Sequence, residues 1–155
     1  MGSAGGLRGK VRKTTVPVEE LLRKAATETE GLRADCLEHL GVTIGDLRAA
    51  AETADANGDL DGRRLDALAA DIQGIAANFG FAFAARLAGL LRGEVAQRRS
   101  LPAGERPLVE AHVKALAAAH ARGARADGET ALQQALLTAL GQFSRRARSG
   151  RENLS

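Results

Sequence analysis

The chain has 155 residues, which is enough for one domain with a substantial core. No apolar run approaches the roughly 18 residues of a membrane-spanning helix, and no apolar segment follows the basic N-terminal residues. The sequence therefore predicts neither a membrane span nor a signal peptide, and a cytoplasmic protein is the expectation. The one cysteine, Cys36, cannot form an internal disulfide and is expected to be a small core residue. Four phenylalanines and no Trp or Tyr favour closely packed helices.

The net charge of +3 is unevenly distributed, because basic residues concentrate at the two ends and the middle is acidic. The N-terminal basic residues are Arg8, Lys10, Arg12 and Lys13, and the C-terminal ones are Arg145, Arg146, Arg148 and Arg151. Residues 1–15 and 147–155 are predicted to be disordered tails around a helical domain at 16–146. Basic tails could contact an acidic partner. Nucleic acid is not expected, because no aromatic residues interleave with the basic ones.

The first predicted helix begins at Pro17, a favoured first-turn residue, and is closed by Gly41. His39 lies near that predicted end, and a surface or packing role is expected for it. A second helix is predicted from Thr43 as N-cap, with Asp46 three residues later as in a capping box. It is expected to stop at the turn dipeptide at 57–58.

The segment after the second helix resembles the start of a calcium-binding loop, because its polar residues alternate: Asp55, Asn57, Asp59 and Asp61. The pattern fails as an EF-hand, since its sixth residue is not Gly and its twelfth is not the bidentate Glu. No metal is expected there. A polar turn in which Asp59 or Asp61 caps the next helix is predicted instead.

The third predicted helix covers residues 65–80 and has two distinct faces. At about 100° per residue, one face is apolar: Leu65, Leu68, Ile72, Ile75 and Phe79. The opposite face holds Arg63, Asp66, Ala67, Ala70, Gln73, Gly74 and Ala77. Its centre is small where exposed helix positions usually carry long charged side chains. Because Gly74 costs the helix about 1 kcal/mol relative to Ala, a packing or docking role for this face is expected.

Three further helices complete the predicted fold. Phe79, Phe81 and Phe83 are expected in the core, and the fourth helix, at 81–97, should run antiparallel to the third. Residues 98–107 form a loop, and Pro107 opens a fifth helix. A sixth is predicted at 129–143, after Gly123, Asp127 and Gly128. No segment alternates with period two, so the prediction is an all-α fold without a sheet.

The string AADIQGIAANFG at 69–80 resembles the signature of histidine phosphotransfer (HPt) domains, A-H-x-L-K-G-x-A-x-x-x-G, whose His relays a phosphoryl group between receiver domains. Gly74, Ala76 and Gly80 match it. Ala70 stands at the position of the phosphoacceptor His, and Gln73 at that of the Lys. The resemblance covers about residues 43–122 and implies an HPt-like antiparallel four-helix bundle with additional N- and C-terminal helices.

The implied function is non-catalytic, because a methyl group at Ala70 cannot accept a phosphoryl group. The leading hypothesis is an HPt-like binding protein of two-component signalling that docks a response-regulator receiver domain or a histidine kinase. No enzyme activity and no cofactor are expected. The predicted partner-binding residues are Arg63, Asp66, Ala67, Ala70, Asp71, Gln73, Gly74 and Ala77.

Two alternatives stay open at this point. The chain could be a structural helical bundle or an oligomerisation module, forming a homo-oligomer. It could also be a phosphorelay protein that uses another histidine: His39, His112 or His120. His112 and His120 are eight residues apart, so they do not form the i, i+4 pair that binds zinc on a helix. No hydrolytic triad, Walker loop or dinucleotide fingerprint is present.

Overall fold

The computed structural model describes residues 17–122 and 131–154. Its elements are α1 (Val18–Glu52), β1 (Leu60–Asp61), α2 (Gly62–Asn78), α3 (Ala82–Val95), β2 (Ser100–Leu101), a 3₁₀ turn (Ala103–Glu105), α4 (Arg106–Ala121) and α5 (Ala131–Leu154). Contacts divide the chain into two units, Met1–Asp35 and Cys36–Ser155. The N-terminal basic residues and the predicted break at Gly123, Asp127 and Gly128 lie outside the described residues.

The all-α class is confirmed, with one correction: the described residues include a small sheet. β1 and β2 pair antiparallel, Leu60 with Leu101 and Asp61 with Ser100. The prediction of no sheet was wrong because strands of two residues are too short to produce an alternating pattern. β2 and the 3₁₀ turn also occupy the segment predicted as a loop.

The first two predicted helices are one continuous helix, so Gly41 does not end a helix and Thr43 does not cap one. Thr43 is buried, and its hydroxyl donates 3.0 Å to the carbonyl of His39 inside the helix. That bond occupies the side chain that would otherwise have capped a new helix. His39 consequently lies within α1, exposed, and not at a helix terminus.

The first unit is represented by the N-terminal segment of α1, residues 18–35. All residues from 17 to 32 are exposed. The segment contains four large apolar side chains that remain more than half exposed: Val18, Leu21, Leu22 and Leu32. Its helical residues therefore have no share in the buried core.

The core belongs to the second unit, and the predicted apolar stripe of the third helix is part of it. Leu65 and Ile72 are fully buried and Leu68 is nearly so, while Ile75 and Phe79 are half-buried against the core. Phe81 and Phe83 are buried, as predicted. The other core side chains come from α1, α3, α4, α5 and the two short strands and include Leu40, Leu47, Leu60, Leu87, Leu91, Leu101, Val113, Leu116 and Leu140.

The N-terminus of α2 has the expected cap. The Asp61 carboxylate accepts the backbone N–H of Arg64 at 3.1 Å. Before it, the Asp55 carboxylate accepts the backbone N–H groups of Asn57 and Asp59 at 2.8 and 3.0 Å, which closes a polar turn. The alternating polar segment is thus held together by hydrogen bonds from its own backbone to the Asp55 carboxylate, as expected of a polar turn.

The last helix is longer than predicted, because α5 continues to Leu154 and includes most of the segment predicted as a disordered tail. The fifth helix starts at Arg106 with Pro107 in its first turn, as predicted. Among the described residues, none of the helices combines the length and the apolar character that crossing a membrane requires.

Candidate functional site

The outer face of α2 is the surface that the sequence identifies as a binding site. Five of its predicted residues are exposed: Arg63, Ala67, Asp71, Gly74 and Ala77. The other three are half-buried: Asp66, Ala70 and Gln73. The structure thus places all eight on one helix and keeps every one of them at least partly accessible.

Gly74 lies at the centre of this face, and the space beside it is open. A Cβ built on Gly74 would meet no atom within 4 Å, apart from its own helix backbone and chain neighbours. No part of the described protein uses the missing side chain for a close approach. Among the described residues nothing therefore supports the packing explanation for Gly74, and the docking explanation stays a prediction.

One edge of the face contacts α3 through Arg92. Its guanidinium donates to the Asp66 carboxylate at 3.2 Å and to the Gln73 side-chain oxygen at 3.0 Å. Gln73 also covers Gly89, where a Cβ would come within 3.0 Å of the Gln73 amide nitrogen. These pairs, 66 with 92 and 73 with 89, confirm that α2 and α3 run antiparallel. The half-buried residues of the face lie along this edge.

Arg92 is a residue of this face that the sequence reasoning missed. It lies 19 residues after Gln73 and on a different helix, so no local spacing indicates it. Its side chain is 42% exposed. The position that resembles the Lys of HPt domains holds an uncharged Gln73, but a cation from α3 is hydrogen-bonded to it. The outer face therefore has positive charge at Arg63 and Arg92 and negative charge at Asp66 and Asp71.

No group on the α2 outer face can accept a phosphoryl group in the manner of an imidazole, since its centre consists of Ala67, Ala70, Gly74 and Ala77. The three histidines of the chain are all elsewhere. His39 is exposed on α1, whereas His120 is half-buried and His112 is 1% exposed. Only His39 is freely accessible to a partner.

His120 connects α4 to α1. Its Nε2 lies 2.8 Å from the carbonyl oxygen of Leu37. Gly41, one turn further along α1, leaves the room for the ring: a Cβ on Gly41 would lie 2.6 Å from the ring carbon Cε1. Gly41, which the sequence predicted to end a helix, is therefore the site where the ring of a histidine 79 positions later packs against α1.

His112 is buried and lines a cavity of about 230 Å³. Glu94 of α3 and Leu140 and Ser144 of α5 line the same cavity. Burial lowers the pKa of His112 below its ordinary value, and its contact with the Leu108 carbonyl at 2.8 Å and the charge of Glu94 partly oppose this. Glu94 is itself 8% exposed and accepts from Arg148 of α5 at 3.0 Å. This cluster anchors α5 to the core.

Among residues 17–122 and 131–154, no group of three or more His, Cys, Asp or Glu is arranged to hold a metal ion. The carboxylates around 55–61 act on the backbone, as described above.

Comparison with known protein families, with curated proteins and with solved structures finds no match for this chain. The resemblance to HPt domains consequently stays a prediction from residues 69–80.

Proposed function

We propose that this protein is a non-catalytic binding protein of two-component signalling, which docks a response-regulator receiver domain on the outer face of α2. The observation that supports this most strongly is the open space at Gly74. A glycine in a helix interior lowers helix stability by about 1 kcal/mol relative to Ala. Since no neighbour in the described protein needs that space, a partner outside the chain is the explanation we offer.

The charges around the small centre fit such a partner. A receiver domain presents an aspartyl phosphate or its unmodified carboxylate, both of which are anionic. Arg63 and Arg92 flank the flat centre of the face and are the cations that would meet that anion, while Arg92 also pairs with Asp66 and the exposed Asp71 adds a negative charge to the face. Ala70, which replaces the phosphoacceptor of the family, leaves the contact without a chemical step.

The experiment is a binding panel. Purified receiver domains from the source organism, each with and without phosphorylation, are titrated against the full chain by calorimetry. Binding by at least one receiver domain supports the proposal, and no binding across the panel overturns it. In parallel, each receiver domain is phosphorylated with a radiolabelled phosphoryl group and incubated with this chain. The proposal expects no label on this chain.

Label on the chain would favour the relay alternative, and the structure specifies where to look. Because His39 is the accessible histidine, His39→Ala should abolish such label, while His112→Gln should not. Acid-labile label that disappears with His39→Ala would replace the non-catalytic proposal by a relay through α1.

A further inference from the structure

The N-terminal segment of α1 is a long helix without a packing partner among the described residues of its own unit. Helix propensity alone gives a solvent-exposed helix little stability in water, since forming its first turn is unfavourable. This one also contains Gly31 in its interior and leaves Val18 70% and Leu22 65% exposed. Most helical stability in proteins comes from packing of an apolar face, so this face calls for a partner.

The apolar residues repeat with the spacing of a two-stranded coiled coil. Steps of four and three residues connect the positions that we call the seam: Val18, Leu22, Ala25, Thr29 and Leu32. This alternation averages 3.5 residues, the repeat that keeps one face of each helix toward a partner helix. No charged residue interrupts the seam, whereas Glu20, Lys24 and Thr27 lie on the opposite side.

Thr29 is the one polar residue of the seam, and its donor is already satisfied. Its hydroxyl donates to the carbonyl of Ala25 at 2.8 Å within the helix. Burial of Thr29 against a second helix would therefore leave no unpaired donor, and its methyl group is available for packing.

The flanking charges indicate that the partner is a second copy of this chain. With Leu22 at position a of the heptad, Glu28 is at g and Arg33 at e, five residues later. In two parallel helices in register, a g side chain meets the e side chain five positions further along the other helix. Glu28 of one copy would thus lie beside Arg33 of the other, twice by symmetry. Arg33 also interacts within its own chain, and its five N–H donors can serve both.

The antiparallel arrangement fits less well. In the register that pairs Ala25 of one copy with Thr29 of the other, it also places Arg33 beside Glu19, but it brings Glu28 opposite Glu28, a like-charge contact that the parallel arrangement does not have. From the seam and these charges, we infer that the protein is a homodimer joined by a parallel coiled coil of the N-terminal segment of α1. This inference does not depend on docking at α2.

The first test measures mass by light scattering over a concentration series of the full chain. A dimer is expected. Leu22→Lys and Leu32→Lys should each weaken the dimer by at least about 100-fold, because each places two charges in the seam. Thr27→Lys adds the same charge on the opposite side and should leave the mass unchanged. Circular dichroism checks that each variant keeps the helices of the second unit.

A monomer at all concentrations would overturn the inference. A dimer that tolerates both seam substitutions would overturn it as well, because its interface would lie elsewhere.

The second test fixes the direction of the helices by cross-linking. In a Cys36→Ser background, Ala25→Cys places two thiols opposite each other in the parallel arrangement. Mild oxidation should give a covalent dimer. Thr27→Cys, on the opposite side, is the matched control and should stay uncrosslinked. A failure of Ala25→Cys to cross-link, or equal cross-linking of both variants, would overturn the parallel arrangement.

The third test exchanges the charges. Glu28→Lys should weaken the dimer by about 5-fold, and addition of Arg33→Glu should restore it. A stronger dimer with Glu28→Gln would instead indicate the antiparallel arrangement, because a neutral residue removes the repulsion between the two Glu28 carboxylates, whereas Glu28→Lys would only replace it with a repulsion between two ammonium groups.

Discussion

Gly41 in α1 and Gly74 in α2 look alike in sequence, since each is a glycine inside a helix. Their surroundings differ completely. At Gly41 the imidazole of His120 occupies the space of the missing side chain, and at Gly74 the space is open. Packing among residues 17–122 and 131–154 explains the first glycine, and it does not explain the second. The comparison separates a contact within the fold from a surface on which we place a partner.

The largest effect is expected where the contact is most severe, at Gly62. A Cβ there would overlap the backbone carbonyl of Arg98 and approach Leu101, and backbone cannot move aside as a side chain can. Gly62→Ala should lower the free energy of unfolding by about 3 kcal/mol. Chemical denaturation measures it. Gly93→Ala, at an exposed helical glycine with open space, is the control and should not destabilise the protein.

At Gly41 the obstacle is a side chain, so a smaller loss is expected. Gly41→Ala should displace the His120 ring from the carbonyl of Leu37 and lower the free energy of unfolding by about 1–2 kcal/mol, despite the better helix propensity of Ala. In a His120→Ala background the same substitution should become neutral or stabilising. A double-mutant cycle measures this difference. Additive effects would contradict the contact between Gly41 and His120.

Acid should destabilise the protein through a buried group of its interior, His112. Because burial lowers the pKa of His112, its contribution to stability is complete above the unfolded pKa of about 6.5 and is lost as pH falls through the lower folded pKa. The slope from this one group is at most about 1.4 kcal/mol per pH unit. Denaturation of wild type and His112→Gln between about pH 7.5 and 4.5 isolates it. Equal pH dependence of the two proteins would refute this role.

The smallest effect is expected at the open glycine. Gly74→Ala should raise the free energy of unfolding by several tenths of a kcal/mol and at most about 1, because only helix propensity changes. Thermal and chemical denaturation both measure it. A clear loss of stability would mean that the outer face of α2 is covered within the protein, and the comparison with Gly41 would no longer hold.

Local patterns predicted much of the fold, because burial follows the period of a helix. The stripe through Leu65, Leu68 and Ile72 and the cap at Asp61 both came from spacing alone. The break at Gly41 was wrong because the signal that favoured it is local, whereas the reason for that glycine is His120, far along the chain.

The candidate site shows the same limit. Its eight residues on α2 could be chosen from one helical period, but Arg92 reaches them from α3, and only the pairing of the two helices reveals it.

The exposed fraction of Leu90 could not be foreseen from spacing either. Leu90 follows Leu87 on the apolar side of α3 and is still 38% exposed. Spacing assigns a face, and the neighbouring elements decide what covers it.

The most direct test of docking on α2 is a titration of Gly74→Arg against the receiver domain that binds wild type best. Gly45→Arg is the matched control, because Gly45 is also an exposed helical glycine with no atom within 4 Å of a built Cβ. The account predicts that Gly74→Arg weakens binding by about thirtyfold or more, with a melting temperature that holds or rises modestly, and that Gly45→Arg binds like wild type. Equal affinity of the two variants would place the interface elsewhere and contradict the account.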